Sequence, residues 1–258
     1  MDNIICIANQ KGGVAKTTTC VNLATVLAGF KTKPKVAVVD LDSQGDASAS
    51  FGIDPDEVEK TIFSVFLKEC TMNQIKVTKY GVDVFPANDD LAGLDILVME
   101  NSDEFPDHHF VVKSVLDQIK DNYDYIFIDL PPSLNFTTIN ALSAADEVVI
   151  PMQLEFLAAR GMQKLLNTID KVRENTNPNL KIRGIIGVMY MAGTNLSSVV
   201  LQQARQFCEK TGITIYDTVI NRSVRIGESP MFGSPAVIYN PKNTAAQDYI
   251  KLTKEMFS

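Results

Sequence analysis

The sequence predicts an α/β fold, a mostly parallel twisted sheet with helices on both faces, and three observations carry that reading. The apolar runs are short and continuous rather than alternating, as expected of strands covered on both sides. Helix-like stretches lie between these runs, and such alternation builds a parallel sheet. A glycine-containing loop, Gln10–Thr18, follows the first run and opens the first helical stretch. In sheets of this kind ligands gather at the C-terminal ends of the strands, where that loop lies.

Taken in order, the runs predict strands at Ile4–Ala8, Val36–Val39, Tyr125–Ile128, Val148–Ile150, Ile185–Met189 and Thr218–Ile220. Helices are predicted at Thr17–Ala28, His109–Ile119, Ala158–Val172, Leu196–Cys208 and Thr244–Met256. In the last of these Ala245, Tyr249, Leu252 and Met256 fall on one face, which reads as core packing. Residues 51–107 are acidic and less regular, and are expected to decorate the sheet with short helices and a hairpin. The chain has no repeat, low-complexity tract or linker, so a single domain over 1–258 is expected. With the loop beginning near residue 10, no N-terminal helix-turn-helix domain is expected.

Composition narrows the class. The chain of 258 residues is 45% apolar, enough for a full core. No apolar run approaches the roughly 18–20 residues of a membrane span, and the N-terminus lacks the pattern of a secretory signal. The expected compartment is the cytoplasm, with no membrane partner. Cys6, Cys20, Cys70 and Cys208 form no CxxC pair, which fits isolated reduced thiols better than a metal cluster. His108 and His109 sit in an acidic stretch and are assigned no chemistry. The net charge is −7, yet residues 181–258 hold nine basic and five acidic residues. A basic face in that part would suit phosphate contacts.

The strongest local signal is Gln10-Lys11-Gly12-Gly13-Val14-Ala15-Lys16-Thr17-Thr18. Gly12 and Gly13 allow a tight turn that aims backbone N–H groups at anionic oxygens. The helix N-terminus adds partial positive charge. Lys16 is placed to reach the β- and γ-phosphates of a nucleotide, Thr17 to ligate Mg²⁺, and Thr18 to hold oxygens near the α-phosphate. The common pattern GxxxxGK[ST] fails, because Gln10 and Ala15 occupy its glycine positions, but the variant KGGxxK[ST] fits.

Carboxylates support the loop. The run Val36–Val39 leads into Asp40-Leu41-Asp42, and Tyr125–Ile128 leads into Asp129. Each ends a buried strand on the side of the loop. Carboxylates there suit holding Mg²⁺ through water or orienting an attacking water.

These blocks together resemble the ParA/Soj branch of the deviant-Walker P-loop ATPases, whose relatives include MinD and the nitrogenase iron protein. The resemblance rests on KGGVAKTTT, VVDLDSQGDAS, YIFIDLPPSL, INALSAADEVVIPMQLEFLAARGM, GTNLS and INRSVRIGESP, in that order, over nearly the whole chain. It implies an ATPase that uses Mg²⁺ and ATP. Lys11 then corresponds to the signature lysine that crosses a dimer interface to the partner's ATP, and Gly12 to a glycine that keeps the interface close. Gly13, Val14, Ala15, Lys16, Thr17 and Thr18 complete the nucleotide loop. Asp42 corresponds to the carboxylate that positions the hydrolytic water, and Asp40 and Asp129 lie with Thr17 at the metal. The segment Asn221–Pro230, with Asn221 and Arg222, resembles the adenine loop. Arg222 and Arg225 resemble basic residues near a surface for non-specific DNA. The family further implies an ATP-dependent homodimer on the nucleoid, with hydrolysis stimulated by a ParB-type partner.

The sequence departs from the family at four places. Ala15 replaces a glycine, at a cost of ~1–2 kcal/mol should the position need a positive φ. Ser43 and Asn221 replace prolines. Gly193 stands where many relatives carry an arginine, which removes one expected phosphate contact, and Arg205, Lys210 or Lys242 are the candidates to compensate. Two alternatives stay open: a MinD-like positioning ATPase for protein or membrane cargo, and a slowly hydrolysing nucleotide switch.

Overall fold

The computed structural model describes residues 3–155 and 158–258. Seven strands form its sheet: β1 (Ile4–Ile7), β2 (Val36–Asp40), β3 (Val77–Lys79), β4 (Val82–Phe85), β5 (Tyr125–Asp129), β6 (Glu147–Gln153) and β7 (Lys181–Val188). Their order is β3-β4-β2-β5-β1-β6-β7. Every pairing is parallel except β3 with β4, the hairpin foreseen in the irregular segment. Tyr80 and Gly81 turn that hairpin with φ of 51° and 79°, the twist that a two-residue connection requires.

Burial on both faces explains the continuous apolar runs. Along β1, Ile4 and Cys6 face one core while Ile5 and Ile7 face the other. The second core is closed by α1 (Lys16–Ala28), α2 (Asp46–Ser50) and, from the end of the chain, α11 (Ala236–Tyr239) and α12 (Thr244–Phe257). Tyr249, Leu252 and Met256 of α12 are buried there, as their spacing predicts. The first core takes α3 (Ile62–Phe66), α4 (Met72–Ile75), α5 (Leu94–Glu100), α6 (Val111–Leu116), α7 (Phe136–Ala144), α8 (Ala158–Asn175) and α9 (Asn195–Thr211). One more short helix, α10 (Val224–Glu228), lies inside the segment read as an adenine loop.

Two elements differ from the sequence reading. Residues Thr218–Ile220 form no strand. Their segment runs beside β7 without a continuous ladder: Ile215 bridges to Ile185, the Ile220 N–H donates to the Gly187 carbonyl at 2.8 Å, and Asn221 bridges to Tyr190 just beyond the strand. Between them the Glu255 carboxylate of α12 accepts the N–H groups of Asp217 and Thr218, at 2.7 and 3.0 Å. Donors a ladder would use are thereby diverted to a side chain. The helix predicted at His109–Ile119 starts later, at Val111. Asn140 of α7 accepts the Val111 N–H at 3.0 Å and donates to the His108 carbonyl at 3.0 Å, which fixes the preceding residues outside the helix.

Register positions the site. In the pairing of β2 with β5, Asp40 stands directly beside Asp129, and Ile7 flanks Asp129 from β1. The three strands β2, β5 and β1 therefore end level with one another, and the loop after β1 emerges beside Asp129, with Asp40 one strand further on.

Candidate functional site: a phosphate cradle at the strand ends

The loop is tied down at its base. Ala8 donates to the Val149 carbonyl at 3.0 Å, and the Asn9 side chain donates to the Pro151 carbonyl at 2.6 Å while accepting the Lys11 N–H at 3.0 Å. Beyond that anchor Gly13 and Ala15 adopt φ of 70° and 57°, with Val14 buried between them. The backbone thus turns twice through the left-handed region. Ala15 pays the roughly 1–2 kcal/mol that an L-residue incurs there. It is also the residue preceding α1, and its side chain offers no hydrogen bond to the helix. The first turn of α1 holds no acidic residue either. Its N–H groups are left to an external anion, and the helix dipole favours one.

Behind the loop stands a buried acidic wall. Thr17 donates its hydroxyl hydrogen to Asp129 Oδ2 at 2.6 Å. Asp129 Oδ1 is buried with no hydrogen-bond partner among the described residues. Asp40 Oδ2 accepts from Ser48 twice, from its N–H at 2.9 Å and its hydroxyl at 2.7 Å, and Asp40 Oδ1 accepts the Asp42 N–H at 3.2 Å. Asp42 is itself mostly buried and accepts the Gln44 N–H at 3.2 Å. Lys16 is only 7% exposed.

Burial dominates the electrostatics of this wall. It pushes the Asp40 carboxyl up to about 6, against the hydrogen bonds from Ser48. It raises Asp129 well above the usual carboxylate range, helped by the neighbouring Asp40 charge. It lowers Lys16, although Asp129, Asp42 and Asp46 all work to keep that ammonium charged. Two carboxylates side by side, one with an unpartnered oxygen, call for more positive charge than Lys16 supplies. A divalent cation fits the orphaned oxygen and the Thr17 hydroxyl. Among the described residues no group of three or more His, Cys, Asp or Glu could hold a metal ion. Such an ion therefore needs further oxygens from a phosphate, which is the usual mode of Mg²⁺.

A cleft of about 550 Å³ opens in front of the loop. One wall carries Gly13, Ala15, Lys16, Thr17, Thr18 and Asp42, and the other carries Asn221, Arg222, Val224 and Ile226. The structure thus unites the loop with a segment some two hundred residues later. Lys11, Gly12 and Val14 are not part of the lining. Lys11 turns outward, half exposed, and donates to Gln153 Oε1 at 2.7 Å and Glu155 Oε2 at 3.1 Å. Asn221 is held by Asp248, whose Oδ2 accepts both its backbone and its amide N–H at 2.9 and 2.8 Å.

The basic candidates are less uniformly placed. Arg222 and Arg225 are both exposed, at the rim of the cleft and on α10. Arg205 lies on α9 and pairs with Asp217 at 3.3 Å. Lys242 is exposed in the turn before α12, and Lys210 is exposed near the end of α9. Gly193 has a φ of 81°, a conformation that an arginine would adopt only with strain.

Sequence reasoning missed several residues of this region. Ser48 holds Asp40, Asn9 anchors the loop, Gln153 and Glu155 hold Lys11, and Asp248 holds Asn221. Ser48 and Glu155 lie inside blocks that carry the resemblance, but neither has a spacing that announces its role. The Glu155 block continues through Phe156 and Leu157, which lie outside the described residues.

Known proteins match this sequence and fold. Residues 2–182 match the AAA domain family. The chain is 41% identical to the sporulation initiation inhibitor protein Soj of Bacillus subtilis, over 99% of this chain and 98% of that one. It is 39% identical to the chromosome partitioning protein ParA of Caulobacter vibrioides, over 99% and 94%. Among solved structures, cobyrinic acid a,c-diamide synthase of Mycobacterium smegmatis with a bound ATP analog and magnesium superposes with a TM-score of 0.85. That protein is 31% identical, with 98% of this chain and 93% of the other covered. The cell division ATPase MinD of Pyrococcus furiosus shares the fold, with a TM-score of 0.78 at 23% identity over 99% and 98%. With full-length relatives at this identity and a matching family over most of its length, the chain belongs to the ParA/Soj family of P-loop ATPases.

Proposed function

We propose that this protein is a DNA partition ATPase that binds Mg²⁺ and ATP in the cleft and hydrolyses ATP to switch a dimer. The observation that carries the reading is the meeting of three features at one point. They are the uncapped N-terminus of α1, the buried Lys16, and the level pair Asp40 and Asp129 with an unpartnered oxygen. A triphosphate with its metal satisfies all three.

In this reading the backbone N–H groups from Gly12 to Thr18 cradle the phosphates, and Lys16 neutralises charge at the β- and γ-oxygens. Thr17, with Asp129 and Asp40 behind it, would hold Mg²⁺, which would supply charge stabilisation to the phosphates. Asp42 orients the attacking water toward the γ-phosphorus, whose bond to the bridging oxygen breaks to leave ADP and phosphate. Asn221 and Arg222 close the cleft over the base. Lys11 leaves Gln153 and Glu155 to reach the ATP of a second copy, which couples dimer formation to nucleotide. Arg222 and Arg225, with Arg205 and Lys242 in support, contact DNA phosphates without sequence preference. A ParB-type partner accelerates hydrolysis and resets the cycle. Among the described residues no helix is long and apolar enough to cross a membrane, in keeping with action on the nucleoid in the cytoplasm.

A second reading, a positioning ATPase for protein cargo, draws on Arg205 being neutralised by Asp217 and on Gly193 offering no side chain. DNA binding that appears only with ATP separates the two. For the site itself, Lys16→Ala should abolish ATP turnover, and unchanged turnover would refute the assignment.

A further inference from the structure

A second cleft, of about 690 Å³, opens at the opposite end of the sheet, where α1 ends and β2 begins. The Lys33 to Lys35 turn, Lys76 at the end of α4 and Asp83 of β4 line it, with the amides of Asn73 and Asn122 at its edge. Neither amide has a hydrogen-bond partner among the described residues.

Its charge is unbalanced. Among the described residues that line it Asp83 is the one acid, and it is engaged, while a second carboxylate, Asp124, meets the Lys35 backbone from outside the lining. Asp83 accepts from the Thr78 hydroxyl at 2.5 Å and the Tyr123 hydroxyl at 2.8 Å, and pairs with Lys76 at 3.1 Å. Lys33 and Lys35 have no ion pair among the described residues, in a chain whose net charge is −7. The backbone holds them in place. Lys33 sits at a φ of 47° and donates to the Phe30 carbonyl at 2.8 Å. Pro34 has its own φ fixed by its ring, and the Lys35 N–H donates to Asp124 Oδ2 at 2.7 Å. A left-handed lysine is costlier than a glycine or asparagine in the same turn. Lys33 and Lys35 are both exposed on this turn.

We infer that this cleft binds a small phosphate-bearing ligand, with Lys33 and Lys35 as its charged contacts and Asn73 and Asn122 as neutral donors. A concave site with a paired acid and two unpaired ammonium groups suits a compact dianion. It lies roughly 13 Å from the nucleotide end along β2, so the two sites are separate. The alternative role for these lysines is to complement the carbonyl end of α1, which affects stability alone.

The test uses the full chain carrying Lys16→Ala, which disables the nucleotide loop, and titrates it with inorganic pyrophosphate by calorimetry at low and high salt. The expected result is saturable uptake that weakens with salt. Adding Lys33→Ala and Lys35→Ala should lower the affinity by about tenfold or more, with an unchanged melting temperature. No uptake, or uptake indifferent to the two lysines, overturns the site. A fall in melting temperature with equal affinity also overturns it, in favour of the helix-end role. A parallel titration with duplex DNA asks for another source of phosphate. Loss of DNA binding in the lysine variants, without pyrophosphate uptake in the parent, overturns the small-ligand assignment.

Discussion

The Thr17 hydroxyl donates to one oxygen of Asp129 while the other oxygen of that carboxylate is buried without a partner among the described residues. The pair joins the first turn of α1 to the end of β5. It also leaves a buried carboxyl whose ionised form burial and the Asp40 charge disfavour, and which a cation at the site would stabilise.

Asp129→Asn tests that carboxyl. Removing the charge relieves the repulsion with Asp40 and the cost of burial. The nucleotide-free protein should melt no lower than the parent, and higher by about 2–4 °C for each kcal/mol recovered. ATP turnover in Mg²⁺ should fall by about a hundredfold or more. A destabilised variant with normal turnover would place the metal elsewhere.

Ala15→Gly tests the strained turn. The left-handed backbone costs the alanine ~1–2 kcal/mol, partly offset by the larger unfolded-state entropy of glycine. A net gain of about 0.5–1 kcal/mol in urea unfolding is expected, with equal or better ATP affinity. A loss of stability would show that the loop relaxes away from this conformation.

Glu255→Ala tests the segment that failed to become a strand. Burial works to raise the Glu255 carboxyl, but the hydrogen bonds from Thr218 and Asp217 outweigh it and hold the group low. A depressed carboxyl stabilises the fold above the unfolded value of about 4.3 and loses that contribution as pH falls through the lower folded value. The variant should lose about 1–3 kcal/mol at neutral pH. Its stability should depend less on pH in the acid range below about 4.3. An unchanged acid limb would contradict the contact.

Arg222→Glu with Arg225→Glu tests the DNA surface. Affinity for duplex DNA in the presence of ATP should fall for all sequences alike, and the salt dependence should become shallower by about one unit of slope per lost phosphate contact. Unaltered titration curves would move the surface away from α10.

Much of this was legible in the residues because it depends on local pattern. Five of the seven strands, β1, β2, β5, β6 and β7, carry continuous apolar runs, and the loop is a short motif in a strand–loop–helix context. The carboxylates Asp40 and Asp129 were legible as strand ends, but their adjacency is a matter of register between β2 and β5, which no local pattern encodes. Contacts between distant segments were invisible for the same reason. Asn140 delays the start of α6, Glu255 draws residues 217 and 218 off β7, and Gln153 with Glu155 holds Lys11 away from the cleft. Each is one side chain overriding a local preference, and each became apparent only when the chain was folded.

The central claim is a nucleotide shared between two copies, and sedimentation of Asp42→Ala with Mg²⁺ and saturating ATP tests it most directly. The account predicts a stable dimer that forms with ATP, not with ADP, and that Lys11→Ala in the same chain abolishes. A monomer under saturating ATP, or a dimer indifferent to Lys11, would contradict it.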